Sequence, residues 1–109
     1  MKIPKTIKIG CHNIKVVYPY KFKEVYDRHG SANYDLYTIF LGDTDSSGSK
    51  RPDSAILAAL LHELLHHIEH ISGHYVFKNM GELEEQAIDG FAHMIAQILI
   101  DNKFIELGK

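Results

Sequence analysis

The chain has 109 residues, 45% of them hydrophobic and 24% charged, with a formal net charge of −2. That length supports one folded domain, residues 1–109, and no second module. The near-neutral charge excludes a broad basic footprint for nucleic acid, and a single cysteine, Cys11, excludes an intramolecular disulfide framework. A lone cysteine suits a reducing compartment. The N-terminus lacks a hydrophobic signal core and no apolar run approaches membrane-spanning length. The expectation is a cytoplasmic protein with neither membrane nor nucleic acid as partner.

The first forty residues read as β structure. Thr6 to Ile9 and Ile14 to Tyr18 carry β-formers around the polar stretch Gly10-Cys11-His12-Asn13, which predicts a hairpin closed by Pro19. Lysines 2, 5, 8, 15, 21 and 23 alternate with apolar residues and belong to the solvent side. The Cys11-His12 pair is explained by the turn without invoking a metal. Lys21 to His29 reads as a short helix or loop ended by Gly30. Ser31 to Tyr34 and Leu36 to Leu41 predict a second hairpin turning at Tyr34-Asp35. Asp43 to Arg51, rich in Ser, Gly and Asp, is a loop.

A long helix follows, with no Gly or Pro from Asp53 to Ser72 and either Asp53 or Ser54 as N-cap. Gly73 is placed for a left-handed C-cap. Leu57, Leu61, Leu64, Ile68 and Ile71 should form its packing face. A second helix starts near Gly81, with Ile88, Phe91, Ile95, Ile98 and Leu99 as its apolar stripe. The fold class is α+β: a small antiparallel N-terminal sheet followed by two packed helices.

His62-Glu63-Leu64-Leu65-His66, an HExxH pattern, lies inside the first helix. Residues four apart share a helix face, so both imidazoles can reach one metal ion. Zinc proteases use this spacing, with two histidines as ligands and the glutamate as general base. On this pattern His62 and His66 can both reach one Zn2+, and Glu63, next to the first, can reach a water on it as a candidate base. A catalytic zinc site needs a third protein ligand and an open position. Glu85 is the candidate, because Asp89 lies one turn further on and can orient His62 or His66 from the non-coordinating side. Glu84 and His74 are the alternatives; Glu82, Glu84 and Glu85 also fit the ordinary preference of acidic residues for a helix start. A metzincin continuation is excluded, since it requires Gly at 69 and His at 72, where Glu69 and Ser72 stand. His67 and His70 are expected as solvated histidines at the helix end. His93, one turn after Asp89, is either solvated or a stabiliser of a developing oxyanion.

HExxH on one helix, with a glutamate and then an aspartate four residues later on the next, resembles the gluzincin metallopeptidases. Glu85-x-x-Ile88-Asp89-x-Phe91-Ala92 is similar to the E-x-x-A-N-x-F-A segment of the ImmA/IrrE-like family of small bacterial and phage zinc peptidases. It departs from that segment at Ile88 and Asp89, and no Met-Pro follows the second helix. The resemblance covers roughly residues 54 to 100. It implies His62, His66 and Glu85 as ligands, Glu63 as base, and a protein substrate, since some members of that family cleave helix-turn-helix repressors. The competing expectation is a non-catalytic metal-binding module that acts in regulation or interaction. A third is two packed helices decorated with histidines and carboxylates, with no metal.

Overall fold

Alternation of apolar residues with lysine at the start of the chain produces the expected hairpin. The computed structural model describes residues 2–22, 30–45 and 47–105. Strands β1 (Thr6–Ile9) and β2 (His12–Val17) pair antiparallel with Ile9 opposite His12. The turn is tighter than the polar stretch suggests, because only Gly10 and Cys11 separate the strands. Gly10 has φ +61°, the positive value that two-residue hairpin turns demand at their first position. Ile14 and Val16 face inward while Lys8 and Lys15 are exposed.

Strands β3 (Gly30–Asn33) and β4 (Thr38–Leu41) form the second hairpin, Asn33 opposite Thr38. Asn33 starts its turn by accepting the Leu36 N–H at 3.1 Å, a usual role for asparagine. Residues 23–29, most of the segment read as a short helix or loop, lie outside the described residues; Gly30 opens β3. The sheet is antiparallel within each hairpin, as expected, and mixed where the hairpins meet: its order is β1-β2-β4-β3, and β2 runs parallel to β4 with Val16 beside Ile39. Each hairpin is written in its own alternation, whereas nothing local specifies how the two dock. The apolar β4, with Thr38, Ile39 and Leu41 buried, takes an inner place. The sequence Gly-Ser-Ala-Asn leaves β3 suited to an edge.

Helix α1 (Asp53–Ser72) has Pro52 as its N-cap, with φ −59° and ψ 149°, in place of Asp53 or Ser54. Proline's fixed φ suits it to a helix entry, and the Pro52 carbonyl accepts the N–H groups of Ala55 and Ile56. Asp53 moves into the first turn, where its charge opposes the positive helix end. Gly73 closes the helix at φ 75°, ψ 6°, its N–H donating to Glu69 O at 2.9 Å. Ile56 and Leu60 join Ile14, Val16, Ile39 and Leu41 in the core. Burying each such side chain contributes about 1.5–3 kcal/mol.

Most of the expected packing face of α1 is in place: Leu57 is buried and Leu64 and Ile71 pack against the core, while Ile68 is 44% exposed. One turn below Glu63, His67 takes an inward position and is fully buried. Its Nε2–H donates to Thr38 O at 3.3 Å, and Tyr34 meets its ring edge-on. This corrects the expectation of a solvated histidine. Burial pushes the imidazole pKa below its ordinary value of 6.5, with His70 and His66 adding to the shift and the Thr38 bond opposing it. His67 is therefore a neutral core residue at pH 7. His70 is exposed, as expected.

A 3-10 turn, Lys78–Leu83, kinks at Gly81 (φ 63°, ψ −122°) and leads into helix α2 (Glu84–Asp101). Ile88, Ala92 and Ala96 bury against α1. Small alanines let the two helices approach closely, and a search for large apolar residues passes over them. The expected stripe divides: Ile88 is inside, Ile95 and Leu99 are half-buried, and Phe91 and Ile98 are 57% and 48% exposed. Among the described residues, no helix is long and apolar enough to cross a membrane.

Candidate metal centre

The α1–α2 interface brings together the residues that the two motifs single out. His62 and His66 stand one turn apart on α1, ring centroids 5.0 Å from each other. Glu85, in the first turn of α2, reaches across to both. Its Oε2 lies 2.7 Å from His62 Nε2 and its Oε1 lies 3.3 Å from His66 Nε2. One turn further, Asp89 Oδ1 lies 3.5 Å from His62 Nδ1. Each nitrogen of His62 thus faces a carboxylate. The Gly81 kink sets where α2 begins, and the packing of Ile88 and Ala92 sets its rotation, so Glu85 and Asp89 point at α1.

Two imidazoles and one carboxylate form a donor set that suits zinc, and the three ligand atoms lie within 4.8 Å of one another. Ligands about 2.0–2.1 Å from a tetrahedral ion are separated by roughly 3.3 Å. The His66–Glu85 distance already matches that edge. The His62–Glu85 distance is a hydrogen bond, and it would open by roughly 0.6 Å to admit an ion. The residues present fit the ion chemically, and the exposed Glu85, which meets the two histidines through different oxygens, would have to shift from His62 to admit it.

The alternatives fall elsewhere. Glu84 groups with His66 and Glu69, within the same 4.8 Å limit, on the side away from His62. Glu69 is 6% exposed, and its Oε2 accepts the N–H groups of Phe77 at 2.7 Å and Lys78 at 3.4 Å. It therefore caps the entry to the 3-10 turn, a role that no spacing in the sequence signals. His74 is exposed beyond Gly73, its N–H donating to Ser72 Oγ, and it belongs to neither grouping. His93 is exposed on α2, with its Nδ1 2.8 Å from Asp89 O and 3.7 Å from Asp89 Oδ2.

Glu63 is 9% exposed and lies on the sheet side of α1. A Cβ added at Gly30 would come within 2.9 Å of its Oε2 and 3.0 Å of its Cγ. The absence of a side chain at the start of edge strand β3 is what makes room for this carboxylate. Sequence reading treated Gly30 only as a terminator; a glycine at a strand start carries no signal of its partner. Gly30→Ala is expected to lower stability by about 1–3 kcal/mol through overpacking, measurable by urea denaturation. An unchanged midpoint would mean that Glu63 moves aside without cost.

Tyr34, read as a turn residue, also belongs to this neighbourhood. Its ring stacks on His70 with centroids 4.7 Å apart. Burial, reinforced by the charges of Glu63, Glu84, Glu85 and Glu69, pushes its phenol up to about 12. Tyr34 is therefore protonated at neutral pH, a neutral phenol in the field of four carboxylates. A cluster of this charge favours a cation. Compared with known protein families, curated proteins and solved structures, the chain matches none.

Proposed function

We propose that this chain is a zinc-dependent metallopeptidase in which His62, His66 and Glu85 hold the ion. The observation that carries the reading is the Glu85 carboxylate set between the two histidines, at 2.7 and 3.3 Å, with Glu63 next to His62 in the chain. The order of the two motifs, with its resemblance to the ImmA/IrrE-like peptidases, supports a protein substrate such as a repressor. Zinc bound there supplies Lewis acidity, acidifying water and polarising a peptide carbonyl. Glu63 accepts the proton from the attacking water and returns it to the leaving amine. With the ion bound in place of the His62–Glu85 hydrogen bond, Asp89, whose Oδ1 lies 3.5 Å from His62 Nδ1, would accept from Nδ1–H and hold the tautomer whose Nε2 lone pair is free for the ion. Edge strand β3 passes beside Glu63, where an extended substrate could add as a further strand.

One observation favours a second reading. Glu63 is almost buried against Gly30, as a residue retained for packing would be, and the same ligands would then serve a metal-binding module without catalysis. Incubating the zinc-loaded protein with a proteome-derived peptide library, and reading new termini by mass spectrometry, separates the two. A peptidase is expected to produce cleavages that stop on chelation and resume when zinc is restored. Bound zinc with no new termini would reject the peptidase and leave the binding module.

A further inference from the structure

Helix α2 is apolar on two opposite faces. One carries Ile88, Ala92 and Ala96 and is buried against α1. The other carries Ala87, Gly90, Phe91, Met94 and Ile98, continued by Leu83 just before the helix, and the first charged residue on it is Asp101 at the helix end. Leu83, Phe91, Met94 and Ile98 are 55%, 57%, 58% and 48% exposed. A helix ordinarily buries one apolar face, and a second, exposed apolar patch of this kind marks an interaction site. A groove of about 680 Å³ runs along it, lined by Met80, Leu83, Ala87, Gly90, Phe91 and Met94 among others.

We infer that a second copy of this chain docks on this face, α2 against α2, antiparallel about a two-fold axis between Gly90 and Phe91. The face is self-complementary. Positions 83, 87 and 90 mirror 98, 94 and 91, so Leu83 meets the partner's Ile98, Ala87 meets the partner's Met94, and Gly90 meets the partner's Phe91. At the two central pairings a small residue faces a large one, the match that an isologous interface requires.

Gly90 supplies an independent argument. Glycine inside a helix is destabilising relative to alanine, and a Cβ at position 90 would meet nothing within 4 Å. Nothing among the described residues calls for glycine there, whereas close approach of the partner's Phe91 does. Five large side chains (Met80, Leu83, Phe91, Met94 and Ile98), each about half exposed, offer on the order of 100 Å² apiece. With Ala87, Gly90 and Gln86 at its edge they approach about 600 Å² per partner, the low end of the range for a specific pair. Glu85 and Asp89 point the other way, to His62, so the pairing brings neither carboxylate against its copy and leaves the candidate metal centre open.

Sedimentation equilibrium of the full chain tests this. The expected mass at about 100 μM is twice 12.4 kDa. Met94→Glu, at an exposed position, is expected to weaken the pair at least about 100-fold with an unchanged circular dichroism spectrum. Gly90→Leu, built into open space, should do the same. In a Cys11→Ser background, Ala87→Cys and Met94→Cys chains should cross-link to each other on oxidation more readily than either does to itself. A monomer at that concentration, a dimer indifferent to Met94→Glu, or preferential self-linking of Ala87→Cys would each overturn the proposal.

Discussion

Glu63→Gln is expected to leave one zinc bound per chain and to reduce peptide hydrolysis by about 10²–10⁴-fold or more. Zinc retention follows because Glu63 is not in the grouping of His62, His66 and Glu85. The fold should tolerate the change, since glutamine has the shape of glutamate and introduces no new contact with Gly30, which a Cβ would crowd at 2.9 Å. What is lost is the ability to take a proton from water, so the effect should fall on kcat and leave KM little changed. Rates on one peptide identified from the library, with zinc content and thermal midpoint measured on the same preparation, check all three statements. Wild-type turnover by this variant would refute Glu63 as the base. Loss of zinc would show that Glu63 is part of the coordination.

The contrast between what could and could not be read beforehand has a physical pattern. Local periodicity reported the two hairpins, the 20-residue helix and its Gly73 cap, because each is specified by neighbours in sequence. The His62–His66 and Glu85–Asp89 pairs were legible for the same reason, as each lies four apart on one helix face. Features set by tertiary docking were not. The parallel β2–β4 contact, the inward His67 and the outward Phe91 and Ile98 depend on which face of an element meets which partner. A histidine at position 67 looks alike whether it faces water or Thr38. Gly30 and Tyr34 join the site from the sheet only because β3 lies over α1, which no spacing announces.

His66→Ala is expected to abolish zinc binding, and it is the most decisive ligand change because His66 belongs to both candidate groupings. Elemental analysis of untagged protein should find about one zinc per wild-type chain and essentially none in the variant, because only two of the three protein ligands would remain. Removing a carboxylate then locates the ion. Glu85→Gln should lose zinc while Glu84→Gln keeps it, since only Glu85 spans His62 and His66. Asp89→Asn should keep the ion with affinity weakened about 10–100-fold, the usual cost of disturbing a partner of a ligating histidine. The reverse pattern, with Glu84 required and Glu85 dispensable, would move the ion to His66, Glu69 and Glu84 and leave His62 outside the coordination. Wild-type protein that stays metal-free after zinc is supplied would reject both placements: the 2.7 Å contact between His62 and Glu85 would then be a hydrogen bond holding two helices together.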